Sequence, residues 1–146
     1  MKAKLSFAVL AIAVAIVAYA QSSAAQGQER YKIRLSTVPM DGGMRATVAG
    51  AGSASAVLTG SKLTINGTFE RFLSPATSAR LHSGSARGVR GPAVGDLTVS
   101  KAMDGTITGS IDLTPEQVQG LKKGQLYIQI SSEKAPEGNL WGWLLR

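Results

Sequence analysis

The side chains best suited to binding chemistry occur first in a glycine-rich segment that holds three arginines and the chain's one histidine. Guanidinium groups carry paired N–H donors that match the oxygens of phosphate, sulfate and carboxylate groups. The candidate site for an anion or a partner therefore consists of Arg80, His82, Arg87 and Arg90. The alternative is a solvated basic loop in which His82 is a hydrogen-bonded structural side chain.

A second candidate surface is the tryptophan pair near the C-terminal end, Trp141 and Trp143. Two residues separated by one position in a strand point to the same face. Such a pair would form an amphipathic patch able to recognise sugars or proteins. Because the chain has few aromatic residues, the alternative is that these rings close the core of the domain.

Catalytic and metal-binding patterns are missing from the sequence. With one histidine and no cysteine, the chain has no thiol nucleophile, disulfide or zinc–thiolate site. It contains neither a nucleophile elbow nor a phosphate-loop spacing, and it lacks a second histidine that could serve as a base for a serine. We expect no enzyme activity, no cofactor and no metal ion.

Short strands separated by turn residues must position these candidates. Alternation of apolar and polar residues predicts eight of them, at 31–35, 54–59, 63–69, 78–82, 94–99, 106–113, 125–131 and 139–145. Tight turns are expected at Gly60-Ser61 and Asp104-Gly105. The Gly/Ala/Ser-rich segment 41–56 is expected to be a mobile loop or a weak edge strand.

One helix interrupts the strands. Thr114 and Pro115 predict its start, Gln117 occupies the capping-box position, and Gly124 predicts its end. Many short strands with one brief helix favour an antiparallel β-sandwich or barrel. We expect an all-β fold of the first kind, an antiparallel β-sandwich that is immunoglobulin-like or superoxide-dismutase-like, with one short helix.

Residues 1–25 are typical of a secretory signal peptide. Lys2 and Lys4 form a basic start, the stretch 7–18 is apolar, and small residues precede Gln26. We expect cleavage after Ala25, which predicts a periplasmic or extracellular protein.

Two alternatives for this leader remain open. Cleavage after Ala20 would fit the same pattern, and an uncleaved leader would act as a membrane anchor. The apolar run 5–20 is shorter than the roughly 20 residues that span a bilayer, so we expect no membrane span after cleavage. The mature protein is then a single domain over residues 26–146.

The chain is basic, and its charge is unevenly distributed. The formal net charge is +7, which falls to +5 once Lys2 and Lys4 leave with the leader. Residues 31–90 carry a net +6 and residues 91–146 a net −1. This balance favours anionic lipid headgroups, cell-wall polymers or an acidic protein as the partner. Nucleic acid is not expected, because basic and aromatic residues are not interleaved.

From Leu73 onward, several short motifs follow one another in an order that resembles the CHRD domain, a module named after chordin. The motifs begin at Ser74, Gly91, Asp96, Asp104, Leu113, Gly124 and Pro136, and the last one ends in Trp141-Gly142-Trp143-Leu144. The resemblance covers residues 31–145 and is closest over 73–145. It implies an extracellular or periplasmic β-sandwich module, and it defines a fold far better than a function.

The resemblance also implies a metal hypothesis, which the sequence of this chain weakens. CHRD sequences commonly carry His-x-His where this chain has Arg80-Leu81-His82, and often a further histidine where it has Ser131 and Ser132. An arginine stays protonated and repels a cation. Asp96 and Glu137 would add only oxygen ligands.

These observations favour a secreted, non-catalytic binding module that recognises a protein or an anionic component of the cell envelope. One alternative is an accessory subunit of a periplasmic, membrane-associated enzyme complex such as a quinoprotein dehydrogenase. The other is a metal-dependent enzyme of the superoxide dismutase type. The sequence does not indicate an oligomeric state.

Overall fold

The computed structural model describes residues 27–146, in which eight strands, one α-helix and one 3-10 turn occur. The strands are β1 (Gln28–Thr37), β2 (Ala51–Thr59), β3 (Lys62–Glu70), β4 (Ala76–Ser83), β5 (Ala93–Val99), β6 (Gly105–Asp112), β7 (Leu126–Ser132) and β8 (Leu140–Trp143). Helix α1 spans Pro115–Lys122, and the 3-10 turn spans Met44–Ala46. Each predicted strand is confirmed to within a few residues. The expected signal peptide lies outside the described residues.

The strands close into an antiparallel barrel, so the predicted β-sandwich is wrong. Their order is β1-β2-β3-β6-β5-β4-β7-β8, and β8 returns to β1. Closure depends on two strands that change partner along their length. Strand β1 pairs with β2 up to Leu35 and with β8 at Ser36 and Thr37, while β5 pairs first with β4 and then, at Thr98 and Val99, with β6. Period-2 alternation is the same in a sandwich and in a barrel, so the sequence pattern does not distinguish them.

The prediction for segment 41–56 is also wrong over its second half. Strand β2 starts at Ala51 and pairs with β1 on one side and β3 on the other, so it is neither a loop nor an edge. Its small residues permit close packing. A Cβ placed on Gly52 would lie 2.4 Å from the carbonyl oxygen of Thr68.

The predicted tight turn at Asp104-Gly105 is not formed. Residues 100–104 connect β5 to β6 instead, and neither Asp104 nor Gly105 has a positive φ. The Asp104 carboxylate accepts a hydrogen bond from the backbone N–H of Arg71 at 2.7 Å. The side chain therefore ties the β5–β6 connection to the end of β3, a role that the dipeptide itself does not reveal.

Helix α1 begins and ends as its sequence predicts. The Thr114 hydroxyl accepts from the Gln117 N–H at 3.2 Å, and the Gln117 side chain accepts from the Thr114 N–H at 2.9 Å. Pro115 occupies the first turn, and Gly124 follows the helix with a φ of +72°. The capping box and glycine stop are thus confirmed.

The barrel interior is filled mainly by leucine and isoleucine. The largest fully buried aliphatic side chains are Ile33, Leu35, Leu63, Ile65, Leu81, Ile107, Leu121, Leu126, Ile128 and Ile130. Neither tryptophan belongs to this core, and Trp141 packs instead against a separate small cluster of Val38, Val48 and Ala135. No helix within residues 27–146 is long and apolar enough to cross a membrane.

Candidate functional site

Four neighbouring strands, β4, β7, β8 and β1, bring both sequence-predicted candidates onto one outer surface. One row of paired positions runs across the strands through His82, Tyr127 and Trp143. The next row runs through Arg80, Gln129, Trp141 and Ser36. Residues some sixty positions apart in the chain are therefore neighbours on this face.

The aromatic rings on this surface fix one another in place. Tyr127 stacks on His82 with ring centroids 5.0 Å apart and an interplanar angle of 12°, and its ring lies 4.5 Å from that of Trp143. Trp141 meets Trp143 at 5.8 Å and 69°. Stacked and edge-to-face arrangements are the favourable geometries for aromatic pairs. The two tryptophans consequently form a rigid, angled platform that lies partly exposed on the outer surface.

The loop between β4 and β5 is anchored to this platform through Gly91. The Gly91 N–H donates to the Tyr127 hydroxyl at 3.0 Å, and Nδ1 of His82 lies 3.0 Å from the Gly91 carbonyl oxygen. Because that oxygen only accepts, the geometry assigns the proton to Nδ1. His82 thus holds the β4–β5 loop in place through the Gly91 carbonyl oxygen.

Arg90 provides the second anchor of the loop. Its Nη1 donates to Oε1 of Gln129 at 2.9 Å and to the Glu137 carbonyl oxygen at 3.3 Å. Its guanidinium carbon lies 5.4 Å from the ring centroid of Trp141, within the range of a cation–π contact. Arg90 is therefore held by the protein itself.

A groove of about 330 Å³ runs along the seam between β1 and β8. We call it the basic aromatic groove and define it by Lys32, Arg34, Arg87, Arg146, Trp141 and Trp143, which all line it. Trp141 and Trp143 lie on β8, between the cations of β1 and Arg87 of the anchored loop. Aromatic faces are thus flanked by positive charge on two sides.

Three of the four cations in the groove are uncompensated. Arg146 forms a salt bridge with Glu29. Within residues 27–146, Lys32, Arg34 and Arg87 have no salt-bridge partner. The groove therefore carries net positive charge.

Glu29, Tyr31 and Arg146 form a clasp at one end of the groove. The hydrogen bond from Tyr31, followed by that from Arg146, holds the pKa of the Glu29 carboxyl below its usual range. Burial raises the pKa of the Tyr31 hydroxyl. The clasp fixes the last residue of the chain against β1.

The described domain matches the family model of the CHRD domain over residues 34–144. The chain belongs to the CHRD domain family. This match confirms the resemblance that the motifs predict over residues 31–145. No curated protein and no solved structure was found to match the chain. Of the groove residues in this CHRD domain, Lys32 and Arg146 flank the matched span and the other four lie inside it.

The four residues of the predicted anion site separate in the CHRD domain. Arg87 lines the groove, while Arg90 stacks on Trp141 beside it. Arg80 points instead to Asp96, with Nε 3.0 Å from the carboxylate oxygen. His82 supports the loop and does not line the groove.

Sequence reasoning missed Lys32, Arg34, Arg146 and Tyr127 as parts of this surface. The alternation of β1 does place Lys32 and Arg34 on its outer side. The missing information is the pairing of β1 with β8, which joins the two ends of the domain.

Other surfaces of the CHRD domain differ in charge. A shallow groove of about 530 Å³ over β2, β3 and β6 has no charged residue in its lining. It is lined by Ala54, Gly67, Asn66 and five serines and threonines. A neighbouring depression includes Glu70 and Asp104. Among residues 27–146, no three His, Cys, Asp or Glu side chains gather as a metal site would require.

Proposed function

We propose that this protein is an exported, non-catalytic CHRD-domain module that captures an anionic component of the cell envelope in its basic aromatic groove. The observation that carries the proposal is the convergence of Lys32, Arg34 and Arg87, which have no salt-bridge partner within residues 27–146, beside two tryptophans. Charge-assisted hydrogen bonds from such groups are among the stronger polar contacts in proteins.

Rigidity of the groove supports a binding role. The tryptophans are held by Tyr127, and the loop that carries Arg87 is anchored through Gly91 and Arg90. Pre-organised side chains lose less conformational entropy when a ligand binds. The aromatic part of the groove therefore needs little rearrangement when a ligand binds.

The charge distribution supports an anionic partner. Four cations line the groove along the β1–β8 seam, whereas the two depressions over β2, β3 and β6 are lined by uncharged or acidic residues. Such asymmetry steers an anionic partner to one face and makes its association sensitive to salt. The signal-like segment 1–25 supports an encounter outside the cytoplasm.

The test is co-sedimentation of the purified protein with the insoluble cell-envelope fraction of the producing cells. The variant Arg34→Gln/Arg87→Gln removes two groove charges and leaves a shorter, uncharged polar side chain at each position. We expect it to lower the affinity about tenfold or more, since each hydrogen bond to a charged group contributes about 1.5–3 kcal/mol. Added salt should also release the wild-type protein.

The matched control is Lys62→Gln/Lys101→Gln, which removes the same net charge from exposed positions outside the groove. It should sediment like the wild type. Equal losses in both double variants would show that only net charge matters, and absence of wild-type sedimentation would remove the proposal altogether.

A further inference from the structure

We infer that the ligand of the basic aromatic groove is an acidic polysaccharide, in which a sugar ring stacks on the tryptophans while its carboxylate or sulfate group pairs with Arg34 and Arg87. The inference rests on the proposed function and names the chemical class of the anion. It depends on the tryptophans, because a site that bound only an anion would not need aromatic rings.

The platform formed by Trp141 and Trp143 is of the kind that stacks on the face of a sugar ring. Trp141 and Trp143 lie outside the barrel core, and both line the groove. A pyranose presents axial C–H groups on its flat face, and these complement the negative face of an indole ring. Because Tyr127 packs against Trp143 and Arg90 lies over Trp141, ring positions are set before a ligand arrives.

The cations are placed where the acidic groups of such a chain would lie. Arg34 comes from β1 on one side of β8, and Arg87 comes from the β4–β5 loop on the other. A guanidinium fork accommodates either a carboxylate or a sulfate. Aromatic surface in the centre and charge on both sides match a polymer that carries an anion on each ring.

A membrane surface fits the groove less well. Insertion between lipid headgroups needs protruding apolar side chains. Within the described chain the exposed large apolar residues are Met40, Leu73, Val89 and Met103, and none of them lines the groove.

An acidic peptide is also disfavoured. Extended peptides commonly bind by adding a strand to a free sheet edge. Strands β1 and β8 pair with each other and close the barrel at this seam. The groove thus offers side chains rather than a continuous row of backbone donors and acceptors.

The test compares the affinities of the wild type and Trp143→Leu, at one ionic strength, for six probes. These are polygalacturonate, dextran sulfate, neutral dextran, polyphosphate, polyglutamate and vesicles containing phosphatidylglycerol. We expect Trp143→Leu to weaken polygalacturonate or dextran sulfate binding about tenfold, as loss of a central aromatic contact does. Binding of polyphosphate and polyglutamate should change less than about twofold, because neither has a ring to stack.

The two acidic polysaccharides distinguish carboxylate from sulfate recognition. Equal losses for every polyanion, or a Trp143-dependent affinity confined to vesicles or polyglutamate, would overturn the inference and leave anion binding intact. Failure of the wild type to bind any anionic probe would overturn the proposed function as well.

Two further measurements distinguish the loss of ring stacking from misfolding of Trp143→Leu. Trp143→Phe keeps an aromatic face and should retain most of the polysaccharide affinity. In the wild type, saturating acidic polysaccharide should protect tryptophan fluorescence from iodide quenching more than saturating polyphosphate does. Equal protection by both would contradict ring stacking.

Discussion

At the scale of single residues, its neighbours decide whether the guanidinium group of an arginine is already engaged by the protein. Arg80 pairs with Asp96, but the two side chains are 54% and 84% exposed, so this salt bridge contributes little to stability. Arg90 stacks on Trp141. Of the arginines at 80, 87 and 90, Arg87 is the one that lines the groove, and it has no salt-bridge partner in residues 27–146. The sequence alone does not distinguish these three arginines, because it does not show which carboxylate or ring lies opposite each one.

Glu29 provides a pH-dependent test at this scale. Its pKa is lowered in the folded chain, first by Tyr31 and then by Arg146, so the ionised form contributes stability above the unfolded pKa. That contribution is lost as the pH falls through the lowered folded value. We expect Glu29→Gln to have a lower Tm than the wild type at neutral pH. The gap should begin to narrow below the ordinary pKa of 4.5 and close below the lowered folded pKa.

Thermal unfolding of both proteins from neutral pH into the acid range measures this difference. A gap between the two Tm values that stays constant at every pH would show that the clasp does not act through the charge of Glu29.

At the scale of elements, local patterns predict what local interactions form. Helix α1 is an example, since its cap and its stop depend on residues within one short segment. The Asp104-Gly105 turn does not form, and the Asp104 carboxylate instead accepts a hydrogen bond from the backbone N–H of Arg71, which is remote in sequence. At Asp104 a tertiary contact replaces the turn that the local sequence favours.

Strand β8 depends on one glycine for its position. A Cβ on Gly142 would lie 2.5 Å from the Arg34 carbonyl oxygen and 2.7 Å from Cγ2 of Ile33. Such distances are too short for packed atoms, so only glycine lets β8 approach β1 this closely. The spacing Trp141-Gly142-Trp143 therefore places two rings outside and no side chain inside.

We expect Gly142→Ala to lower the free energy of unfolding by about 1–3 kcal/mol, the usual cost of overpacking a tight site. It should also weaken anion binding, because the seam that forms the groove must widen. Denaturant unfolding and the envelope assay measure the two effects.

Gly42→Ala is the control, since a Cβ there would meet nothing within 4 Å and its φ is not positive. It should change the unfolding free energy by less than about 0.5 kcal/mol. Equal stability of Gly142→Ala and the wild type would show that β8 does not need the close approach.

At the scale of the whole molecule, barrel closure creates the candidate site. The sequence predicts eight strands, an arginine segment at 80–91 and a tryptophan pair at 141–143. It does not predict that β1 pairs with both β2 and β8, which makes the predicted sandwich a barrel and adds Lys32 and Arg34 to the tryptophans. Pairing between the two ends of a domain depends on the total topology, which no local pattern encodes.

Because the barrel is closed, its binding surfaces are outer faces of the sheet and not strand edges. Where every strand is paired on both sides, binding must use outward side chains. The basic aromatic groove and the uncharged groove over β2, β3 and β6 lie on two such faces and differ in chemistry. The net charge of +5 expected for the mature domain matters because part of it is concentrated in the first of them.

If the anionic ligand binds in the basic aromatic groove, it must come into contact with Trp141 and Trp143. These are the chain's two tryptophans, so their indole N–H signals in a ¹H–¹⁵N NMR spectrum report on the groove alone. When the purified protein is titrated with oligogalacturonate, we predict that both signals shift and saturate together, and that Arg34→Gln/Arg87→Gln needs about tenfold or more ligand to reach the same shifts. Binding detected by calorimetry in the same samples, with both indole signals unmoved, would contradict the account by placing the site elsewhere.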